Sequence, residues 1–496
     1  MAAAPPSNHS YEVIVIGAGI GGLTAGTYLA KSGCRVLIVE QARKVGGYCG
    51  SFDRGGYRFD EAVHYINNFG PRGFLRNICR ELGIEDRVQV LTIDPSDRLV
   101  MPGIQVAISH DVQRTVEEIS KTFPREASSI KRFFHMITDF DFSALYVKCR
   151  RMTFQQLLDE YFQDRRLKTA LGLFATTMGL TADKLAALSA LAYYKGSILD
   201  GGYHPVGGAQ TFSNALQDRF VELGGELMLG KKVASIQVSG GQARGVTLED
   251  GTRLAARAII SNCDATQTFT KLIGEESVGT RFIQRLKKLK PSASTLVVYL
   301  GVNRLLQGEV PDCCNLWYFP YEDSSLGSIN IVEDDRKNGF VHIGLSSLHD
   351  RTMAPSNCES LVLFCGATFK TEKYWSAHRQ RLADILVERA CQAIPRIRDA
   401  IQIKLPATPY TLFRYTLNRN GAYRGWEPTT NQAQASLVPQ KTDIDGLYLA
   451  GHWVTTPVGN GGVSMVAQSG KNAARLVAQS FRHRPDDIST PAFSRT

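Results

Sequence analysis

The chain has 496 residues, 43% of them hydrophobic and 21% charged, and a formal net charge of +10. That length exceeds what one simple core supports and points to two interleaved domains in an ordinary globular protein. No run reaches the ~18 unbroken apolar residues of a membrane-crossing helix, and no stretch resembles a nucleic-acid-binding module.

The leader, residues 1–10, lacks the basic start and apolar core of a signal peptide and reads as a flexible end. Val13-Ile14-Val15-Ile16 then forms a buried strand that runs into Gly17-Ala18-Gly19-Ile20-Gly21-Gly22, a glycine turn opening a helix. A second strand, residues 35–39, ends on Glu40. Each residue type suits a dinucleotide. Gly17 permits the tight turn, Gly19 lets the backbone approach a pyrophosphate, and Gly22 allows close helix–strand packing. The helix N-terminus offers free N–H groups to phosphate. Glu40 sits at the roughly 20-residue offset where a carboxylate binds ribose hydroxyls. After Glu40 come Gln41, Arg43 and a second glycine pair, Gly46-Gly47, followed by Tyr48. An NAD enzyme has no need of that second pair. A flavoprotein holding extended FAD uses such a loop to pass its chain beneath the cofactor.

Residues 91–200 read as mostly helical, with Phe133, Phe134, Ile137, Phe140, Leu145, Tyr146 and Val147 near helical spacing. The cofactor fold resumes near residue 201 with a helix over 209–223 and strands over 233–238 and 243–248. Glu249-Asp250-Gly251-Thr252 is a hairpin turn, and Ile259-Ile260-Ser261-Asn262 a strand returning to the cofactor sheet. Residues 281–290 carry Phe282, Ile283, Leu286 and Leu289 on one face and Arg285, Lys287, Lys288 and Lys290 on the other. Such a helix either rests on an anionic bilayer or is a solvated surface helix. Strands over 294–302, 316–319, 341–346 and 361–365 suggest an antiparallel sheet, with a helix over 374–393 beyond them. At the far end Gly446-Leu447-Tyr448-Leu449-Ala450-Gly451 is a short strand leading to Gly459-Asn460-Gly461-Gly462 and a small-residue helix from Val463. That second glycine turn suits a flavin ring and its ribityl chain. Residues 482–496 read as a second flexible end.

The predicted fold class is therefore α/β, a three-layer Rossmann-like FAD-binding domain of the extended-FAD, glutathione-reductase type, with an inserted α+β substrate domain. The first is discontinuous, residues 11–90, 201–290 and 417–479. The second comprises 91–200, a helical cap, and 291–416, an antiparallel sheet. Ten scattered cysteines without metal-ligand spacing read as reduced thiols in a cytoplasmic setting, with no bound metal.

These motifs resemble the phytoene desaturase, carotenoid isomerase and retinol saturase family of FAD-dependent oxidoreductases. The likeness covers nearly the whole chain. It rests on the N-terminal fingerprint, the Gly46-Gly47 loop and the segment from Gly55 to Glu61. Gly202-Tyr203-His204-Pro205-Val206-Gly207-Gly208 and the C-terminal flavin segment complete it. Phe59-Asp60 followed by Val63-His64-Tyr65-Ile66 is closer to the saturase and isomerase branch. Tyr48 stands where Arg often follows the glycine pair, and His452 where many relatives carry Asp. The resemblance implies that Val233 meets the adenine through its backbone. It also implies that Gly451, His452, Gly461, Gly462 and Val463 lie along the flavin.

The implied activity is flavin hydride chemistry on the C=C bonds of a polyisoprenoid, a carotenoid or retinoid, by isomerisation, saturation or desaturation. Such chemistry needs at most one proton relay. His64 and Tyr65 are the candidate proton-handling residues. Arg414 is placed at the mouth of the site, and Trp453 facing the flavin. The implied partners are a long apolar small molecule, an unspecified external electron acceptor or donor, and a peripheral membrane surface. Two alternatives stand beside this reading: an FAD-dependent amine or amino-acid oxidase, and a non-catalytic prenyl-protein escort that keeps the fold.

Overall fold

The computed structural model describes residues 10–139, 142–325, 327–433, 437–454 and 462–482. Two sheets organise them. In the first, Glu226–Leu229, Val36–Glu40, Ser10–Ile16 and Arg253–Ser261 lie side by side and parallel. Leu447–Leu449 joins parallel to the last half of Arg253–Ser261, while Gln242–Leu248 pairs antiparallel with its first half. These are continuous Val/Ile/Leu runs, the composition of strands covered on both faces. On one face pack the helices Ile20–Lys31, Ala209–Glu222 and Val463–Arg482. A Cβ on Gly470 would stand 2.3 Å from the Gly21 carbonyl oxygen, so the first and last of these helices meet backbone to backbone.

All the parallel strands end on one edge, which collects Gly17, Glu40, Asn262 and Gly451. Ligands of open parallel sheets bind outside such carboxyl ends. The fold thus assembles its candidate site from segments more than 400 residues apart in sequence.

The second sheet runs, in order, Ile401–Ala407, Ser294–Val302, Glu359–Ala367, Val341–Gly344, Asn315–Tyr318, Asp97–Met101 and Ile104–Ile108. Leu296, Val298, Leu316, Ile343 and Leu363 share one core, against which the helix Glu372–Ala393 packs. Strand side chains alternate between faces, so Val297, Asn315, Trp317, His342 and Phe364 project to the opposite face, as their register pairs them.

The last two strands of this sheet lie in the first part of residues 91–200, most of which is helical. Leu99 and Met101, then Ile104, Val106 and Ile108, alternate at a period of two around a turn at Gly103 (φ 66°). That short signal was overshadowed by the helical spacing that follows it. Beyond residue 111 the segment is helical, and Phe133, Phe134 and Ile137 are buried there, whereas Val147 is exposed and Phe140 lies outside the described residues.

The basic helix Thr280–Lys288 turns Ile283 and Leu286 into the core under the nucleotide sheet. Phe282 packs edge-on to Phe269 at 4.7 Å. Its apolar face is occupied by protein, which leaves the charges on a solvated surface. No helix among the described residues is long and apolar enough to cross a membrane.

Candidate active site

A cavity of about 1110 Å3 extends from the carboxyl edge of the first sheet to the inner face of the second. It exceeds the ~300–1,000 Å3 usual for one small ligand, room for a cofactor and a second molecule.

At the nucleotide end the glycine turn and Glu40 hold one another. Glu40 Oε2 accepts from the Ala18 amide at 2.7 Å and Oε1 from the Ala42 amide at 2.7 Å. Each oxygen keeps a lone pair for a ribose hydroxyl. Gly17 takes φ 97°, a left-handed conformation open to glycine, and bonds through its amide to Val39. A Cβ on Gly22 would lie 2.0 Å from the Gly17 oxygen, and one on Gly21 2.9 Å from the Gly451 amide. Gly21 and Gly22 therefore serve packing, while Gly17, Gly19, Gly46, Gly47, Gln41, Arg43 and Val233 line the cavity. Asn262 lines the same stretch, and its Oδ1 has no hydrogen-bond partner among the described residues. The returning strand was legible in the sequence, but not that its terminal amide would face the turn.

These features fit a flavin dinucleotide: a glycine cradle that a side chain would fill, a carboxylate with spare lone pairs, and an unsatisfied buried amide. Gly451, His452, Gly462 and Val463 continue the lining; Gly459 to Gly461 lie outside the described residues. Tyr48 donates to the Ala422 carbonyl at 3.1 Å, with its ring 6.1 Å from that of His452. Burial, then the Arg424 charge, lowers the His452 value to about 4, so the ring is neutral near neutrality.

At the inner end His64 and Tyr65 both line the cavity. Burial first, then the positive potential of His204 and Arg424, lowers the His64 value to about 3. Its ring stands edge-on to Phe364 at 4.1 Å and to His342 at 5.0 Å. Tyr65 donates to Asp97 Oδ2 at 3.1 Å. Asp97 is fully buried and also receives Ser96 Oγ at 2.7 Å and Trp317 Nε1 at 2.8 Å. Burial raises its value against these donors. The sequence reading missed Asp97, whose signal was an acid opening an alternating apolar strand. Arg424 lines the cavity with its guanidinium 5.6 Å from the Tyr193 ring and 6.0 Å from that of Tyr423.

Arg414 is exposed on the helix Pro409–Thr416 and lines the outer rim of the cavity beside Tyr415, whose carbonyl accepts from Gln41 Nε2. One expected residue stands elsewhere. Trp453 is not among the cavity-lining residues. It packs edge-on to Trp426 at 4.7 Å and donates to Asn418 Oδ1 at 2.8 Å, so it holds Asn418 and the chain after Gly451 in place. The large apolar indole gains more from that burial than from the polar lining.

The profile of flavin containing amine oxidoreductases matches residues 20–478. The chain belongs to that family. It is an FAD-dependent oxidoreductase. It is 26% identical over 513 residues to the chloroplastic prolycopene isomerase of Arabidopsis thaliana, covering 94% of this chain and 82% of that one. Over 473 residues it is 24% identical to the lycopene-forming phytoene desaturase of Pantoea ananas, covering 88% and 93%. Cyclohexylamine oxidase from Brevibacterium oxydans shares the fold at a TM-score of 0.67 and 17% identity, over 95% of this chain and 99% of that one.

Proposed function

We propose that this flavoenzyme acts on the C=C framework of a long apolar polyisoprenoid, a carotenoid or retinoid, by isomerisation, saturation or desaturation. The observation that carries the reading is the single cavity that joins the glycine turn to an apolar floor of Val297, Ile329, Phe340 and Phe364. The isomerase and desaturase relatives, matched over most of both chains, support the substrate class.

FAD, when bound, supplies hydride transfer at N5. The protein's own part is to bind, orient and exclude water. Glu40 would hold the ribose, Gly17, Gly19, Gly46 and Gly47 the pyrophosphate, Val233 the adenine through its backbone, and Gly451, His452, Gly462 and Val463 the ring end. His64 and His452 stay uncharged and keep the reacting region apolar. Tyr65, held on the buried carboxylate of Asp97, would move a proton at its phenol oxygen. Ten free cysteines support a reducing, cytoplasmic compartment. Net oxidation or reduction calls for an external electron partner, whereas isomerisation does not.

The test is anaerobic incubation of the FAD-loaded protein with a poly-cis carotenoid in liposomes, followed by chromatography and mass analysis. Altered retention at unchanged mass means isomerisation, and two hydrogens lost or gained mean desaturation or saturation. An unchanged substrate contradicts the reading. A second reading, amine oxidation, has the family's description and the fold of cyclohexylamine oxidase behind it. It predicts hydrogen peroxide on turnover of an amine. The positive charge of Arg424, felt by both His64 and His452, disfavours a cationic amine in this cavity.

A further inference from the structure

Two buried polar groups stand among the apolar side chains on the inner face of the second sheet. Asn315 and His342 project from neighbouring antiparallel strands, with Asn315 opposite Gly344 and His342 opposite Trp317. They are diagonal neighbours on one face, roughly 7–8 Å apart. The residue between them, Gly344, has no side chain, and the His64 ring fills the space above it; a Cβ there would be 2.8 Å from His64 Nδ1. Asn315 is 2% exposed and His342 5%, and both line the cavity. Asn315 Oδ1 and His342 Nε2 have no hydrogen-bond partner among the described residues.

A sheet face that otherwise presents Val297, Phe364 and Trp317 gains nothing from two unsatisfied polar groups. Buried polar atoms left without partners are costly and rare in folded proteins. Their types are complementary. The Asn315 amide lies near enough to Asp97 for its N–H side to favour that carboxylate, and its Oδ1 is a pure acceptor. His342 is neutral, because burial and the neighbouring His64 hold its value well below the ordinary one. Its Nε2 donates in one tautomer.

We infer that the second molecule in this cavity carries a hydroxyl group that donates to Asn315 Oδ1 and accepts from His342 Nε2–H: the substrate is an oxygenated polyisoprenoid alcohol rather than a pure hydrocarbon. The inference rests on the polyisoprenoid reading above and narrows it. A carbonyl or ether oxygen has no proton for Asn315. An ammonium group has no lone pair for His342.

The experiment measures binding of two probes to the FAD-loaded full-length protein in detergent micelles. One is an acyclic polyene hydrocarbon and the other its terminally hydroxylated counterpart, read by quenching of tryptophan fluorescence. Each satisfied group contributes about a factor of ten, so the wild-type protein is expected to prefer the alcohol by at least about tenfold. His342→Phe should cut the preference about tenfold while the hydrocarbon still binds, and His342→Gln, which keeps a donor, should retain part of what His342 contributes. Asn315→Ser, which keeps an acceptor, checks the second contact in the same way. Equal binding of both probes by the wild-type protein overturns the inference and leaves the polyisoprenoid reading standing. Binding of neither, with FAD in place, overturns both, as does tighter binding of an alkyl amine of matched length.

Discussion

Glu40 does two things with one carboxylate: it clamps the glycine turn through two backbone amides, and it offers the ribose site. Glu40→Gln leaves only one oxygen for two donors and sets an N–H against an N–H. Hydrogen bonds to charged groups are worth about 1.5–3 kcal/mol, so FAD affinity should fall roughly 10- to 100-fold, measured by fluorescence of released flavin. Undiminished affinity would contradict the assignment. Gly22→Ala sets a methyl group 2.0 Å from a carbonyl oxygen and should cost about 1–3 kcal/mol of stability in thermal unfolding. His204 and Asp350 form a buried pair at 3.2 Å. Burial alone would lower the His204 value, but the Asp350 hydrogen bond and the charges of Asp60 and Asp350 outweigh it and raise it above 6.5. Asp350 is lowered from 3.8 to about 2, its bonds from His204, Thr352 and Gly207 overcoming burial. The pair's contribution is therefore full between those ordinary values. It is lost as pH rises through the raised His204 value and as pH falls toward that of Asp350. Thermal melts across pH should show the alkaline loss in the native protein and not in His204→Gln; an identical alkaline slope in both would refute the coupling.

At the scale of elements, the basic helix Thr280–Lys288 makes a direct comparison between pattern and packing. Its apolar stripe was compatible with a bilayer, yet Ile283 and Leu286 are spent on the protein core. Reversing Lys287 and Lys288 to Glu should leave sedimentation with anionic vesicles unchanged; a severalfold loss would return the helix to the membrane. The nucleotide end was legible because its residues are local: strand, turn, helix and acid follow one another within Ser10–Glu40, and Gly22 answers the nearby Gly17 carbonyl. Strands such as Ser294–Val302 were legible because their apolar runs are long. Beyond His64 and Tyr65, the inner end was not. Asp97, Asn315 and His342 come together only through register between strands remote in sequence, and period-two alternation names a face without saying which partner lies across it. Trp453 was misplaced for a related reason. Its neighbour Gly451 lines the cavity, but whether an indole two residues on faces the cavity or the core depends on Trp426 and Asn418, which no local pattern reveals.

On the scale of the whole molecule, the cavity lies between the two sheets, so a ligand filling it ties both together. FAD at one hundred times its dissociation constant should stabilise the fold by about 2.7 kcal/mol and move a single unfolding transition upward. Two transitions, only one of them shifted, would mean that the sheets unfold independently of the site. The central claim is that one continuous cavity takes FAD along the carboxyl edge of the first sheet and a polyene over the inner face of the second. A crystal structure of the protein with both bound tests it most directly. The account predicts FAD running from Glu40 to Gly451 and the polyene against Phe364, Trp317 and His342. A polyene bound elsewhere, or density for FAD filling the floor itself, would contradict it.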